Sequence, residues 1–282
     1  MVRLGVLGWP VAHSRSPAMH NAALAHLGMP AWRYQRLPVP PQLFEETVRA
    51  LGAAGFRGAN VTIPHKQAAL SLATQASSAA REIGAANTLS FLGGGAIAAE
   101  NTDAPGLIAA LGRSPQGISA LVLGAGGSAR AAVWALREAG ARDVAVWNRT
   151  YERAEQLALD FGVRAVRRPS PAELLVNCTS VGLDAPVRES SLVLSASAAY
   201  VLNQLGLTFD QVGRYTNVVD LVYSGRSTAL LSVARAHGAH TIDGVEVLVA
   251  QGALSLELWV GRAAPLAVMR RAARQPQAER AV

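Results

Sequence analysis

The 282-residue sequence is poor in cysteine, in charged residues and in aromatic residues. Cys178 is the single cysteine, so the chain can form no internal disulfide, and nothing points to an oxidising compartment. Only 16% of the residues are charged and 50% are hydrophobic, a balance that excludes disorder for most of the chain. The one long uncharged stretch, residues 190–209, contains Ser, Asn, Gln and Gly throughout, which argues against a transmembrane helix. We therefore expect a cytoplasmic protein without a membrane partner.

Lysine is almost absent: Lys66 is the single lysine among 26 basic residues, and the other 25 are arginine. Arginine stays charged at ordinary pH, whereas a lysine can exchange its proton during a reaction. Lys66 is therefore a candidate acid/base residue, although one lysine could also remain by chance. The net charge of +7 is spread evenly along the chain, and no basic cluster alternates with aromatic residues. Small anionic ligands explain this charge at least as well as nucleic acid, which we do not expect as a partner.

Strand-like and helix-like segments alternate along the chain, which predicts an α/β fold. The strands predicted from apolar runs are residues 2–7, 32–37, 59–63, 120–123, 143–147, 174–178 and 218–222. The helices predicted from apolar spacing are residues 17–27, 41–51, 66–83, 106–111, 128–139, 151–161, 228–237, 244–260 and 265–274. Pairs of strands separated by a helix are typical of parallel sheets with crossover helices.

A glycine-rich turn lies between the strand predicted at residues 120–123 and the helix that follows it. Gly124 permits a tight turn, Gly126 permits a close approach of pyrophosphate to the backbone, and Ala129 lets the helix pack close to the sheet. Glycines also serve ordinary turns, but the flanking strand and helix favour a dinucleotide site. The residues expected to contact the cofactor here are Gly124, Ala125, Gly126, Gly127, Ser128 and Ala129.

The end of the next predicted strand indicates which dinucleotide binds. An acidic residue at this point would bind the ribose hydroxyl of NAD, but this chain has Asn148, Arg149 and Thr150, with Arg153 one helical turn later. Two guanidinium groups would pair with the 2′-phosphate of NADP. A solvated helix start is the alternative, yet cations there oppose the helix dipole. The sequence therefore favours NADP over NAD.

Polar residues form further clusters at residues 14–17, 60–66, 84–89, 101–103, 220–223, 243–244 and 251–252. Ser14 and Ser16 are two residues apart in an extended segment, so both hydroxyls can face one pocket and hold a carboxylate. Asn60 and Thr62 share a strand face in the same way. Each residue alone would more often cap a helix or form a turn. Their joint occurrence favours a site for an acid that carries several hydroxyl groups.

These polar clusters occur together with the Asn-Arg-Thr sequence at residues 148–150 and with the Asn-Cys-Thr-Ser-Val-Gly loop at residues 177–182. In these features the chain closely resembles the shikimate dehydrogenase family. The resemblance implies a two-domain α/β protein, with a substrate domain of residues 1–103 completed by 245–282, and a Rossmann-like NADP-binding domain of residues 104–244. It implies NADPH-dependent reversible reduction of 3-dehydroshikimate to shikimate, a step of aromatic amino acid biosynthesis. A small-molecule substrate is the expected partner, and a monomer or homodimer the expected state.

The resemblance also assigns site residues. Those matched to the family are Ser14, Ser16 and Tyr223 for the substrate carboxylate; Lys66, Asn87, Asp103 and Gln251 for the ring hydroxyls; Thr62 for the pocket wall; Leu221 and Gly244 for the nicotinamide; and Thr179 and Ser180 for the adjoining ribose. Lys66 and Asp103 form the acid/base pair, in which Lys66 supplies the proton to the substrate oxygen. The six histidines show no ligand spacing, so we expect no metal.

Two departures from the family pattern stand out. Residues 190–209 have no obvious counterpart and could be a lid, an oligomer contact or surface decoration. Residues 224–228 lack the proline that usually follows the tyrosine. The alternatives are a quinate/shikimate dehydrogenase of quinate catabolism and a non-catalytic NADP-binding protein. Ser16 and the absence of an acidic residue near Thr150 argue against the quinate/shikimate dehydrogenase. The retention of Lys66 argues against the non-catalytic protein.

Overall fold

A computed structural model of the chain describes residues 1–183, 191–223 and 227–275. The chain forms two compact units, one of Met1–Gly106 with Leu248–Val282 and the other of Leu107–Val247. Each unit has its own six-stranded sheet. Among the described residues, no helix combines the length and the hydropathy needed to span a bilayer. The predicted α/β class is confirmed.

The first unit contains a mixed sheet. Its strands are β1 (Val2–Gly8), β2 (Trp32–Pro38), β3 (Phe56–Val61), β4 (Gln75–Ala76), β5 (Thr88–Phe91) and β6 (Ile97–Glu100), in the order β2-β1-β3-β5-β6-β4. Its helices up to this point are α1 (Ser16–His26), α2 (Phe44–Leu51), α3 (Lys66–Ser71) and α4 (Ser78–Ile83). Strands β1, β2 and β3 are parallel, so their carboxyl ends lie at one edge. That edge leads into the segments that carry Ser14, Ser16, Thr62 and Lys66.

Three parts of this unit differ from the sequence-based expectation. The helix predicted at residues 66–83 is interrupted by β4, and residues 88–91 and 97–100 form two antiparallel strands that were not predicted. Both strands are only four residues long, and a turn at Gly93–Gly95 separates them. Four residues show little alternation of apolar and polar side chains, so the sequence alone does not indicate a strand. Residues 88–91 form the strand β5 because they pair with β3.

The second unit contains an entirely parallel sheet. Its strands are β7 (Ser119–Leu123), β8 (Asp143–Trp147), β9 (Arg164–Ala165), β10 (Leu174–Asn177), β11 (Asn217–Asp220) and β12 (His240–Asp243). The helices are α5 (Asp103–Leu111), which enters from the first unit, α6 (Gly127–Glu138), α7 (Tyr151–Phe161), α8 (Ser191–Gln204), α9 (Phe209–Val212) and α10 (Ala229–Ala236). The strand order is β12-β11-β10-β7-β8-β9, the order of a Rossmann fold, and it reverses direction between β7 and β10.

Both faces of this parallel sheet are buried. Along β7, Ala120 and Val122 belong to the core packed by α6 and α7, whereas Leu121 and Leu123 belong to the core packed by α8 and α10. Alternate residues of a strand point to opposite faces, so a strand buried on both sides is apolar throughout. This is why residues 120–123 read as a continuous apolar run.

The segment at residues 190–209 requires a correction. Ser190 lies outside the described residues, but the second half of α8 packs in the hydrophobic core and is therefore not a lid or surface decoration. Ala198, Val201, Leu202 and Leu205 lie in the core beside Leu121 and Leu123. These four residues have helical spacing, which the polar residues around them conceal. The segment is the crossover helix between β10 and β11.

The chain returns to the first unit through α11 (Gly244–Val260) and α12 (Leu266–Arg274). The indole nitrogen of Trp259 donates a hydrogen bond to the Leu89 carbonyl at 3.0 Å, and Gly58 leaves room for the indole ring against β3. The Arg15 guanidinium donates to the Ala273 carbonyl at 2.6 Å. The C-terminal helices thus cover the sheet that the N-terminal residues form.

Candidate active site

Lys66 and Asp103 form a short ion pair in the first unit. Lys66 is the first residue of α3 and Asp103 the first residue of α5. Lys66 Nζ lies 2.5 Å from Asp103 Oδ2, and the lysine is only 9% exposed. The chain reaches Lys66 from β3 through Thr62 and a cis peptide bond between Ile63 and Pro64. An ammonium and a carboxylate so placed can exchange or relay a proton.

Asn87 links this ion pair to the helix α11. Its Nδ2 donates to Asp103 Oδ1 at 2.9 Å, to Gln251 Oε1 at 3.0 Å and to Thr102 Oγ1 at 2.9 Å. Its Oδ1 accepts a hydrogen bond from the Thr102 backbone amide at 2.7 Å. The Gln251 amide is anchored in turn by Nε2, which donates to the Leu248 carbonyl at 2.8 Å. Four polar residues predicted for the substrate, Lys66, Asp103, Asn87 and Gln251, therefore lie together.

Asn60 lies behind this cluster, and its amide is fully engaged by protein groups. Its Oδ1 accepts from the Tyr34 hydroxyl at 2.8 Å, and its Nδ2 donates to Ser255 Oγ at 2.8 Å and to Thr88 Oγ1 at 3.1 Å. Asn60 Nδ2 also donates to the Asn87 carbonyl at 3.2 Å. Asn60 is buried, so these contacts hold the backbone of Asn87 in place.

The sequence analysis placed Thr88 and Thr102 in polar clusters without giving them a role, and it did not single out Tyr34 or Ser255. Ser255 Oγ donates to the Gln251 carbonyl at 3.0 Å and contacts Thr88 Oγ1 at 2.9 Å and Thr102 Oγ1 at 3.1 Å. One signal was available: Gln251 and Ser255 are four residues apart on a predicted helix and so share a face. A buried serine on an apolar helix requires partners, and the polar cluster supplies them.

Ser14 and Ser16 lie side by side in the first unit. Ser16 begins α1, and its backbone amide donates to Ser14 Oγ at 3.3 Å. The Arg36 guanidinium donates to the Ser14 carbonyl at 2.7 Å. Thr62 packs its methyl group against Gly8, where a Cβ would collide with it. The ends of β1 and β3 thus lie close together beside the segment that carries both serines.

His65, which adjoins Lys66, has a structural position. Its ring stacks on Phe44 with centroids 4.2 Å apart, and its Nε2 lies 2.7 Å from the Val39 carbonyl. Burial lowers the pKa of His65, which favours the neutral ring. Among the described residues, no group of three or more His, Cys, Asp and Glu side chains could hold a metal ion.

The glycine-rich turn lies at the carboxyl end of β7, where the strand order reverses. Gly124 has φ +111°, and a Cβ there would lie 3.3 Å from the Cys178 carbonyl carbon and from Thr179 Cγ2. Gly126 caps α6, and a Cβ on it would have no atom of the described chain within 4 Å. Ala129 is buried against the sheet. The turn therefore leaves an open cradle at a helix N-terminus, which fits a pyrophosphate group.

The loop after β8 exposes the residues predicted for the adenosine end of the cofactor. Asn148 Nδ2 donates to the Thr150 carbonyl at 2.8 Å and so closes the loop. Arg149, Thr150 and Arg153 are exposed. The guanidinium groups of Arg149 and Arg153 therefore reach solvent after β8, the strand that neighbours β7 and its glycine-rich turn. Residues 148–150 include no acidic residue.

The loops after β10 and β11 are joined by a buried carboxylate. Asp220 Oδ1 accepts from Asn177 Nδ2 at 2.8 Å and from the Val222 amide at 3.1 Å, and Asp220 Oδ2 accepts from Thr228 Oγ1 at 2.6 Å. Asn177 Oδ1 accepts from the Thr179 amide and hydroxyl at 3.0 and 2.8 Å. Burial raises the pKa of Asp220 to about 6.

Four further predicted residues lie around this network. Leu221 and Tyr223 are half-buried and follow Asp220, whereas Ser180 is exposed and follows Thr179. Gly244 packs directly against the Leu221 carbonyl, where any Cβ would collide. Residues 224–226, which include part of the segment without the usual proline, lie outside the described residues.

The second unit has the strand order and the glycine-rich turn of a dinucleotide-binding fold, and the first presents a lysine–carboxylate pair among amides and hydroxyls. Together they define a dinucleotide-dependent oxidoreductase that reduces a carbonyl group or oxidises an alcohol.

Comparisons with known proteins narrow this class. Family models match residues 6–89 (shikimate dehydrogenase substrate binding domain), 110–180 (shikimate/quinate 5-dehydrogenase) and 244–274 (shikimate 5′-dehydrogenase C-terminal domain). A shikimate dehydrogenase (NADP(+)) of Methanopyrus kandleri is 40% identical, with 95% of this chain and 93% of that protein covered. One of Methylobacterium radiotolerans is 44% identical, with 92% and 91% covered.

A solved structure agrees with these relatives. Shikimate 5-dehydrogenase of Thermus thermophilus, in complex with NADP(H) and shikimate, superimposes with a TM-score of 0.82 at 42% identity, with 97% of this chain and 99% of that one covered. The chain belongs to the shikimate dehydrogenase family.

Proposed function

We propose that this protein catalyses the NADPH-dependent, reversible reduction of 3-dehydroshikimate to shikimate in aromatic amino acid biosynthesis. The observation that carries the proposal is the 2.5 Å contact between Lys66 and Asp103, surrounded by the amides of Asn87 and Gln251. The Thermus thermophilus relative was solved with NADP(H) and shikimate, and two NADP(+)-dependent relatives share at least 40% of their residues with this chain.

The polar groups of the first unit suit a polyhydroxylated acid. Ser14 and Ser16 present two neighbouring hydroxyl donors for the carboxylate, and we assign Tyr223 the same role on the family resemblance. Lys66, Asn87, Asp103 and Gln251 bind the ring hydroxyls. Thr62 lines the pocket. Asn60 supports Asn87 from behind, because its amide already has protein partners on both sides.

Lys66 performs the proton transfer. As the substrate carbonyl becomes an alkoxide, the Lys66 ammonium donates a proton to that oxygen, and in the reverse direction the neutral amine accepts it. Asp103 holds the ammonium by Oδ2 and is itself held by Asn87 through Oδ1. The lysine thus keeps one position relative to the reacting oxygen, which lowers the entropic cost of the proton transfer.

The second unit binds the cofactor, which supplies the hydride when bound. The backbone of Gly124, Ala125, Gly126, Gly127, Ser128 and Ala129 cradles the pyrophosphate. Asn148, Arg149, Thr150 and Arg153 hold the adenosine 2′-phosphate, Thr179 and Ser180 adjoin the other ribose, and Leu221 and Gly244 adjoin the nicotinamide. The open space over Gly126 and the exposed Arg149 and Arg153 support this assignment. We further propose a cytoplasmic location, no nucleic-acid partner, and a monomer or homodimer.

Steady-state assays test the reaction. Purified protein is mixed with shikimate or with quinate, each with NADP⁺ or NAD⁺, and cofactor reduction is followed by the absorbance of the reduced nicotinamide. We expect turnover with shikimate and NADP⁺ that is lost in Lys66→Ala and retained in Gln67→Ala, an exposed neighbour on α3. Comparable turnover with quinate would assign the chain to quinate catabolism instead. A folded, NADP⁺-binding protein that is inactive with both acids would overturn the proposal.

A further inference from the structure

Arg167 lies beside the predicted 2′-phosphate site, although it is far along the chain from the Asn-Arg-Thr sequence. Strand β9 pairs with β8 in parallel, with Val146 opposite Ala165, and the Val166 amide donates to the Val146 carbonyl at 2.9 Å. Arg167 therefore leaves the sheet at the level of Asn148, where the loop after β8 begins. This is the same edge of the sheet that presents Arg149.

The Tyr151 ring holds the Arg167 guanidinium in place. The Arg167 Cζ atom lies 4.0 Å from the centroid of the Tyr151 ring, which is within the range of a cation–π contact. Tyr151 is the first residue of α7 and directly follows Thr150. The contact therefore connects the loop after β9 to the loop after β8.

The charge of Arg167 is available for a ligand. In the part of the chain that the structure describes, Arg167 has no carboxylate partner, whereas Arg164, three residues earlier, is bound by Asp143 at 2.5 and 3.1 Å. A stacked guanidinium uses its face for the ring and keeps the N–H groups at its edge for hydrogen bonds. Such an edge can bind a phosphate in a bidentate manner.

We infer that Arg167, stacked on Tyr151, is a third guanidinium for the adenosine 2′-phosphate and contributes to the preference for NADP over NAD. The inference rests on the proposed function, because it adds a residue to the proposed cofactor site. Arg149 and Arg153 approach the phosphate from the loop after β8 and from α7, and Arg167 approaches it from the loop after β9. Tyr151 is a positioning residue that acts through Arg167.

Isothermal titration with NADP⁺, NAD⁺ and adenosine 2′,5′-bisphosphate tests the inference. Arg167→Gln should weaken the binding of the two 2′-phosphorylated ligands by about 10- to 100-fold, the loss expected when a charge-assisted hydrogen bond is removed. Binding of NAD⁺ should be unchanged. Arg137→Gln, which removes an exposed arginine from the last turn of α6, is the matched control and should change none of the three affinities.

Variants of the ring separate positioning from charge. Tyr151→Phe should retain the affinity for adenosine 2′,5′-bisphosphate, and Tyr151→Leu should lose part of it, because only phenylalanine preserves the aromatic face. The inference would be overturned if the Arg167→Gln protein folds and binds adenosine 2′,5′-bisphosphate with the affinity of the wild type. Equal losses for NADP⁺ and NAD⁺ would overturn it as well.

The same titrations distinguish the two proposals. A wild-type protein that binds NADP⁺ no better than NAD⁺ would contradict the proposed cofactor. A wild-type protein that prefers NADP⁺, loses this preference in Arg149→Gln and keeps it in Arg167→Gln would overturn the inference alone.

Discussion

Lys66 Nζ contacts one oxygen of Asp103 at 2.5 Å, and the other oxygen of the same carboxylate accepts a hydrogen bond from Asn87 at 2.9 Å. The Asp103 carboxylate therefore fixes the distance between the Lys66 ammonium on α3 and the Asn87 side-chain amide before β5. Without it, the ammonium and the Asn87 amide would lose the charged group that they share. We therefore expect Asp103 to affect the proposed reaction through the positions of Lys66 and Asn87.

Asp103→Asn should reduce turnover far more than it affects folding. The amide cannot pair with the ammonium as a carboxylate does, so Lys66 loses its position and kcat should fall by about 10²- to 10⁴-fold. Measuring kcat and KM for shikimate, with circular dichroism to confirm folding, tests this. Asp210→Asn removes the same charge from an exposed position on α9 and should be active. Equal activity of the two variants would contradict the assigned role of Asp103.

Two alanine substitutions in the glycine-rich turn should have different effects. Gly124 has a positive φ and little space, so Gly124→Ala should destabilise the protein by about 1–3 kcal/mol. Gly126→Ala meets no protein atom and should unfold at the same urea concentration as the wild type. Because pyrophosphate would occupy that space, Gly126→Ala should nevertheless weaken NADP⁺ binding. Unchanged affinity would show that the phosphates do not approach Gly126.

Asn60→Ala should mainly reduce stability. The substitution removes four buried hydrogen bonds, with Tyr34, Asn87, Thr88 and Ser255, and should lower the free energy of unfolding by about 2–4 kcal/mol. Tyr34→Phe removes one of them and should cost less. Urea denaturation measures both. A loss below about 1 kcal/mol for Asn60→Ala, the contribution of one ordinary hydrogen bond, would show that this network does not support the site as described.

Asp220 should make the stability depend on pH. Burial raises its pKa to about 6, so the folded state retains a proton that the unfolded state releases near pH 4. Its contribution to the free energy of unfolding is full below about pH 4 and falls as pH rises through about 6, by about 3 kcal/mol in total. Asp220→Asn has no such proton, so its stability relative to the wild type should increase from about pH 4 to about pH 7.

Asp160→Asn is the control for this measurement. The Arg130 guanidinium lowers the pKa of Asp160, so the stabilisation by that carboxylate is present at neutral pH and is lost as pH falls below the ordinary aspartate pKa of about 4. The stability of Asp160→Asn relative to the wild type should therefore decrease as pH rises from about 2 to about 5. If the stability relative to the wild type changed in the same direction with pH in Asp220→Asn and Asp160→Asn, the opposite pKa shifts assigned to Asp220 and Asp160 would be contradicted.

The parts of the fold that follow from short-range pattern were predictable. The apolar run at residues 120–123, the glycine-rich turn and the helix after it appear in the structure as β7, Gly124–Gly126 and α6. Helix α8 was not predicted, because polar residues interrupt its apolar positions, as Asn203 and Gln204 do between the core residues Leu202 and Leu205. Strand β12 was not predicted either, because four residues form a strand only when β11 provides the hydrogen bonds.

The site was predictable only in part, for a similar reason. The residues that we propose to face the substrate, such as Lys66 and Asn87, belong to short motifs that can be compared with a family. Tyr34 and Ser255 hydrogen-bond to Asn60 from 26 and 195 residues away. The four-residue spacing of Gln251 and Ser255 indicates a shared helix face, but no local pattern indicates that Tyr34 or Ser255 contacts Asn60. Polar networks of this kind are specified by tertiary contacts, which satisfy each buried donor in turn.

The division of the first unit between the two ends of the chain affects the order of folding during synthesis. Its sheet forms from residues before Gly106, but α11 and α12, which supply Trp259 and Gln251, leave the ribosome only after the residues of the second unit. Residues 107–247 are continuous and can fold as soon as they have emerged. The second unit should therefore be able to fold in the nascent chain while the N-terminal sheet still exposes the apolar surface that α11 and α12 later cover.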